Sequence, residues 1–375
     1  MSVTVPIATP TAISTRALDR RDYLLVTIQC DGVELSGVGY SYAGTRGGAA
    51  LERIVLDQLA PLLVDADARD IVALWEQMYR ETLLAGRRGA VLRAISAVDI
   101  ALWDLRGKAS DTPVAVLLGG AVKPIPAYAS GGYYRYDEGS RVGSVRDEIA
   151  FNKEQGFVDH KIKVGGLSVP EDAARVRAAV EEIDGGGRLA LDANNAYRSV
   201  AEALAASRAF EAVADGGLWW IEEPLMPDDT AGCAELARTL ETPVAAGEIH
   251  QTRWDFRQLI ESAAVDILQP DAGVVGGITE WIRVARTAES FDVPIAPHWH
   301  ANLHAHLAAA SVNCVAVEYF APEKDIYNFE VLLTPESRLH FGDGQVTLPG
   351  RPGLGIEFDD AAVDRYRTGS GKATS

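Results

Sequence analysis

His160-Lys161-Ile162-Lys163-Val164, Leu189-Ala190-Leu191-Asp192-Ala193, Trp219-Trp220-Ile221-Glu222 and Val244-Ala245-Ala246-Gly247-Glu248 are short apolar runs separated by helical patterns. Runs of this kind read as strands buried on both faces. In the first, side chains alternate, so Lys161 and Lys163 point one way and Ile162 the other, toward an apolar layer. Lysine is rarely fully buried, and two neighbouring like charges inside a fold are costly unless paired or used. The other three runs carry a carboxylate at or near their ends.

Working outward, the same rhythm extends to Ile125–Ser130, Val265–Gln269, Pro294–Pro297 and Val315–Glu318. Eight such runs, with helical patterns between the early ones, predict a closed parallel barrel. An open doubly wound sheet would place a Gly-rich phosphate turn after its first strand. Here that strand ends Ser130-Gly131-Gly132-Tyr133, and Gly273-Val274-Val275-Gly276-Gly277 reads as a tight loop after the sixth. Upstream, Leu24, Val26 and Ile28 alternate, Asp31-Gly32 turns the chain, and Val33, Leu35 and Val38 continue it as a hairpin. A Gly-rich loop is expected over Tyr40–Gly48. Helical spacing follows at Leu51, Ile54, Val55 and Leu59, then at Ile71, Leu74, Trp75 and Met78, and over Val91–Lys108. The tail, from Phe341 to Tyr366, reads as short strands leaving the barrel to pack on the N-terminal part, with Thr368–Ser375 frayed.

Charge and cysteine content narrow the setting. The 375 residues include 53 acidic and 35 basic ones, a net charge of -18. That balance argues against nucleic-acid or anionic-membrane partners. Three widely spaced cysteines make neither a disulfide framework nor a zinc motif and fit a reduced, cytoplasmic setting. No secretory signal or membrane-spanning run is visible.

Functional groups of a parallel barrel gather where strands end. Successive strand ends give Asp192, then Glu222 beside Glu223, then Glu248. Each alone could cap a helix or pair with an arginine. Three converging anions instead ask for a cation, and an all-oxygen set suits Mg²⁺. The sixth strand ends at Asp271 and the seventh at His298, a pair able to orient an imidazole as general acid or base. Glu318 ends the eighth. Four of the seven histidines fall at 298, 300, 304 and 306. A zinc site is not favoured, because a metal-dependent hydrolase would carry His-x-His after the first strand. His304 and His306 read as packing or surface residues.

These residues resemble the enolase superfamily, specifically its mandelate racemase subgroup, over essentially the whole chain. Ala97-Val98-Asp99-Ile100-Ala101-Leu102-Trp103-Asp104-Leu105-Arg106-Gly107-Lys108 with Leu117-Leu118-Gly119-Gly120 is similar to the family's capping-domain signature, and Lys161-Ile162-Lys163 to its Lys-x-Lys base motif. Asp192, Glu222 and Glu248 fall where the family keeps its metal ligands, Asp271 and His298 where it keeps an Asp–His dyad, and Glu318 where it keeps an acid that hydrogen-bonds the intermediate. The resemblance implies a modified TIM barrel, (β/α)7β, over 124–340. It implies an N-terminal α+β capping domain over 1–123, completed by the C-terminal segment 341–375. It also implies a homo-oligomer, possibly an octamer. With Asp271 where related subgroups carry a lysine, the pattern resembles racemases and acid-sugar dehydratases.

The implied chemistry is Mg²⁺-dependent removal of the proton α to a carboxylate, giving an enediolate. Lys161 supplies charge. Lys163, its pKa lowered toward neutrality by Lys161 and the metal, serves one face. His298 serves the other, and a protonated Glu318 donates to the intermediate. Dehydration of a sugar acid to a 2-keto-3-deoxy acid is expected, with racemisation or epimerisation of a 2-hydroxy acid as the alternative. A metal-dependent hydrolase and a non-catalytic carboxylate binder stand behind both. Expected substrate contacts are Ser130, Asn194 and His300 at the rim, and Tyr42 and Arg16 from lid loops at Thr9–Asp22 and Tyr40–Gly48.

Overall fold

A computed structural model of the chain describes residues 1–374 apart from 33, 136–140, 216 and 325. Val33 of the expected hairpin lies outside the described residues. An antiparallel sheet opens the chain: β1 (Ser2–Ala12), β2 (Ala17–Gln29) and β3 (Ser36–Tyr42). The alternation of β2 and β3 was legible. β1 was not, because Pro6 and Pro10 interrupt it, and its pairing with β2 shifts register between Pro6 and Thr11. The strands also consume most of the expected lid segments. Only residues 13–16 separate β1 from β2, and β3 runs to Tyr42.

Helices α1 (Gly48–Ile54), α2 (Ala60–Leu63), α3 (Ile71–Glu81), α4 (Ala90–Ala109) and α5 (Val114–Leu117) follow. The α4 helix is buried along most of its length. It lies so close to β3 that a side-chain carbon at Gly37 or Gly39 would strike the Ala101 or Ala97 carbonyl. Its Asp104 accepts from the Val38 and Leu354 amides at 2.8 and 2.7 Å, joining early and late parts of the chain.

The barrel then alternates β4 (Ile125–Gly131), α6 (Arg141–Glu154), β5 (His160–Lys163), α7 (Val169–Ile183), β6 (Leu189–Asp192), α8 (Val200–Glu211), β7 (Ile221–Glu222), α9 (Thr230–Thr239), β8 (Val244–Ala246), α10 (Thr252–Glu261) and β9 (Ile267–Leu268). After α11 (Ala272–Val275) and α12 (Gly277–Ser290), the seventh strand shrinks to a bridge at Ile295, which pairs with Leu268 and Cys314. Pro294 and Pro297 flank it and have no N–H to offer a ladder. After α13 (Ala301–Ala309), β10 (Val317–Tyr319) pairs in parallel with β4 and closes the ring. The fold is therefore a (β/α)7β barrel behind an α+β cap.

The tail divides its contacts. The β-strands β11 (His340–Gly342) and β12 (Gln345–Thr347) form a hairpin whose second strand pairs with β4 of the barrel. Helix α14 (Asp360–Tyr366) and β13 (Arg367–Gly369) go to the cap, where Gly369 pairs with Ser2. Thr368 and Gly369, expected to fray, are thus strand residues. No described helix is long and apolar enough to cross a membrane.

Candidate active site

Inside the barrel, Tyr128, Ala190, Trp220, Ala245, Ile267, Ala296 and Ala316 form a buried apolar cluster. Two residues further along the strands, on the same face, stand Ser130, Asp192, Glu222, Gly247, Gln269, His298 and Glu318. The period of two therefore lays a polar layer directly on an apolar plug. Lys161 joins it from β5, where it registers with Ser130 and Ala190, and Lys163 registers with Asp192.

The lysines are both paired. Lys161 Nζ lies 2.8 Å from each Glu222 oxygen, 3.0 Å from Glu318 and 3.8 Å from Asp192. Lys163 Nζ pairs with Asp192 and lies 4.9 Å from the Tyr133 ring centre. Burial favours the neutral amines, but the facing carboxylates outweigh it and raise both pKa values. At Lys163 the attraction of the touching Asp192 exceeds the repulsion from Lys161. Burial likewise acts to raise Asp192, yet Lys163 and Lys161 hold it below its ordinary value. Burial and Asp192 push Glu222 up to about 7 against Lys161. Trp220 Nε1 and Gln269 Nε2 also donate to Glu222, at 3.1 and 2.6 Å.

On the far side, His298 Nδ1 and Asp271 Oδ2 are 2.9 Å apart, and His298 Nε2 lies 3.3 Å from Glu248. Burial opposes its charge, but Glu248, the Asp271 hydrogen bond and Glu318 raise His298 to about 10. Asp271, which burial alone would raise, is drawn down to about 2, chiefly by the hydrogen bond to His298. Both shifts favour an imidazolium–carboxylate pair. Glu318 accepts from the Trp299 amide at 2.6 Å. Although burial favours its neutral form, Lys161, followed by His298 and Lys163, holds its pKa well below the carboxylate range. A carboxylate in this charge state accepts hydrogen bonds, as Glu318 does from Trp299.

The expected substrate contacts divide. Ser130 is buried at the rim with its hydroxyl against Glu318, and Asn194 Oδ1 is buried there without a hydrogen-bond partner among the described residues. Asn194 donates its amide to Asp192 at 2.9 Å. Tyr42 stacks on Trp299 with ring centres 5.7 Å apart, and its hydroxyl accepts from Arg21 at 3.2 Å. Arg16 is exposed at the β1–β2 turn. The neighbouring Ser14 reaches the Ala193 carbonyl at 2.5 Å, which docks the turn onto the end of β6. His300 keeps Nε2 without a hydrogen-bond partner among the described residues. It is fully buried, with Nδ1 2.8 Å from the Tyr327 hydroxyl and Tyr40 and Phe329 against its ring. It follows Trp299, whose backbone sits at φ 72°, in the left-handed region.

Residues the sequence reading did not assign complete the site. Gln269 shares the inward period of the rim and could have been found by it. Arg175 could not, because it acts from α7. Fully buried, it donates to the Lys163 carbonyl at 2.7 Å and the Gly132 carbonyl at 2.5 Å while pairing with Asp172 at 2.9 Å.

Asp192, Glu222 and Glu248 offer oxygens within 4.8 Å of one another. Glu248 Oε2 is buried 3.3 Å from His298 Nε2, with no hydrogen bond formed to it among the described residues. Three converging carboxylates, an all-oxygen donor set, fit a hard divalent cation. The four histidines do not form a metal-binding group among the described residues.

Comparisons agree with this geometry. The family model described as "Mandelate racemase / muconate lactonizing enzyme, N-terminal domain" matches residues 1–119, and "Enolase C-terminal domain-like" matches 144–362. Arabinonate dehydratase of Saccharolobus solfataricus is 36% identical over 338 residues, covering 88% of this chain and 87% of that one. The 3,6-anhydro-alpha-L-galactonate cycloisomerase of Streptomyces coelicolor is 32% identical, covering 97% of both. A racemase from Streptomyces coelicolor, crystallised with bound magnesium, superposes with a TM-score of 0.89 at 31% identity over 97% of each chain.

Proposed function

The chain belongs to the mandelate racemase/muconate lactonizing enzyme family of the enolase superfamily, and on that premise we propose that it dehydrates a sugar acid to a 2-keto-3-deoxy acid. It is an enzyme of the lyase or isomerase type, and Mg²⁺ is its cofactor. The observation that carries the reading is the placement of Lys163 and His298. They stand on the second and seventh strands of the ring, with the carboxylate triad on the third, fourth and fifth strand ends between them.

Asp192, Glu222 and Glu248 would hold the ion. Bound there, Mg²⁺ would supply a Lewis acid for a substrate carboxylate, and Asp192 and Glu248 would turn to it from Lys163 and His298. Lys161 Nζ adds a fixed positive charge beside that carboxylate. Lys163 Nζ takes the α-proton on its face of the substrate, breaking the C–H bond and leaving an enediolate. His298, held through Nδ1 by Asp271, presents Nε2 to the other face. There it delivers its proton to the departing 3-hydroxyl, so the C–O bond breaks and water leaves. The resulting enol tautomerises to the keto acid. Glu318 accepts hydrogen bonds at this wall and keeps Lys161 and His298 charged. Ser130 Oγ and Asn194 Oδ1 are polar atoms placed to bind substrate hydroxyls. Proton return by His298 to the opposite face would give an epimer from the same enediolate, and both proton carriers needed for that are present.

The assignment of residues 1–123 as cap, 124–340 as barrel and 341–375 as returning segment belongs to the same proposal. So do cytoplasmic residence and homo-oligomeric assembly, which rest on the sparse cysteines and the family resemblance. The test is a Mg²⁺-dependent screen of mono- and diacid sugars. Keto products are read with semicarbazide, epimers by polarimetry, and α-proton exchange in ²H₂O. Keto acid from at least one sugar acid is expected. Exchange or epimerisation without keto acid assigns the isomerase reading instead. Neither signal across a broad library overturns both.

A further inference from the structure

Glu223 follows Glu222 directly and takes no part in the steps above. Its backbone sits at φ 46°, in the left-handed region that long side chains seldom enter. Pro224 comes next, and a residue before proline is ordinarily pushed to extended backbone. A conformation this uncommon persists only where its surroundings enforce it. The carboxylate is 1% exposed. Its Oε2 accepts from Asn195 Nδ2 at 2.5 Å and its Oε1 from the Gly247 amide at 3.1 Å. The main chain repeats the same links: Glu223 N donates to Ala245 O at 2.9 Å, and Asn195 N donates to Glu223 O at 2.7 Å. Asn195, itself at φ 62°, spends its second amide hydrogen on Leu225 O at 2.9 Å. Asn195 lies just past Asp192, and Gly247 immediately precedes Glu248. One side chain therefore joins the exits of β6, β7 and β8, the three strands whose ends carry Asp192, Glu222 and Glu248.

We propose that Glu223 is the positioning residue of the metal site, fixing the mutual spacing of the three ligand carboxylates; this rests on their assignment as Mg²⁺ ligands. Three anions held within 4.8 Å repel one another, so without a brace they spread. A brace that ties all three strand ends lets the ion meet a site already at its working separation. Partners that orient metal ligands typically govern affinity by about 10- to 100-fold. If Glu223 served the turn alone, its loss would lower the melting temperature and leave affinity untouched.

Mg²⁺ is titrated calorimetrically into the EDTA-stripped full-length protein and its Glu223→Ala, Glu223→Gln and Asn195→Ala variants. Melting temperatures are taken in EDTA and in excess Mg²⁺. The expected result is affinity lowered about 10- to 100-fold in Glu223→Ala. Asn195→Ala, which cuts one arm, and Glu223→Gln, which keeps an acceptor for Gly247, lose less. The Mg²⁺-induced rise in melting temperature shrinks in the same order. Unaltered affinity in both Glu223 variants overturns the brace, even with a lowered melting temperature in EDTA. Asp192→Ala and Glu222→Ala are the controls, because unaltered affinity in either overturns the ligand assignment itself.

Discussion

Lys161 is gripped by two glutamates, whereas Lys163 meets one aspartate and the face of Tyr133. The two lysines therefore have different tolerances. In the proposed mechanism Lys161 works through its charge, which arginine retains in a fork suited to carboxylates. Lys163 must expose a lone pair, which arginine does not do at accessible pH. Lys161→Arg is expected to keep measurable turnover, reduced by crowding in a fully buried place. Lys163→Arg and Lys163→Ala are each expected to lose about 10²- to 10⁴-fold in kcat. Initial rates on the substrate found by the screen decide this, and near-normal turnover in Lys163→Arg would remove Lys163 from its role as base. The identity and facing of these residues were legible, because strand alternation needs no three-dimensional information. The pairing of Lys163 with Asp192 was not. It depends on which charge across the barrel comes nearest, and strand register sets that separation.

Among the elements, α4 and α12 carry the junction between cap and barrel. Asp99 of α4, fully buried, accepts from the Thr279 amide at 2.9 Å and the Thr279 hydroxyl at 2.6 Å. Gly277 is obligatory beside it, since at φ 90° a side-chain carbon there would strike the Asp99 carboxyl. Burial pushes Asp99 up to about 7, against the two Thr279 hydrogen bonds. The folded pKa is thus above the unfolded one, so the folded state binds the extra proton between roughly pH 4 and 7. Stability from Asp99 is present at low pH, falls across that window and is level above it. Asp99→Asn mimics the neutral carboxyl and does not titrate. The variant should therefore gain on the unaltered chain from pH 4 to 7, by an amount on the order of a few kcal/mol. Urea unfolding of both proteins at pH 5 and pH 8 measures the gap, and a gap independent of pH refutes the buried-proton account. The helix itself was readable from Val91, Ile95, Val98, Leu102 and Leu105. Its polar latch was not, because Asp99 and Thr279 meet only after the barrel has closed.

For the whole molecule, the consequential feature is that both ends of the chain build one sheet. Its order is β13-β1-β2-β3, with Ser2 paired to Gly369 and Val3 to Arg367. Val363 of α14 is buried in the main core, and Thr368 reaches Ser2, which in turn donates to Glu52 at 2.7 Å. The same sheet carries Arg21 and Tyr42 over Trp299 and, through the turn at Ser14, touches the end of β6. The triad, by contrast, hangs on β6, β7 and β8, which are built wholly from the barrel's own strands and helices. Ending the chain after Phe358 removes α14 and β13, strips β1 of one partner and exposes Val363's site in the core. Binding and turnover should then separate. Mg²⁺ affinity is expected to stay at the full-length value, while kcat/KM collapses as the cap loosens over Trp299. Hydrogen exchange should show protection lost in β1 and retained in β6 and β7. Full turnover in the shortened chain would mean that the sheet does not govern the mouth. Loss of Mg²⁺ binding along with turnover would mean that cap and barrel fold as one cooperative unit.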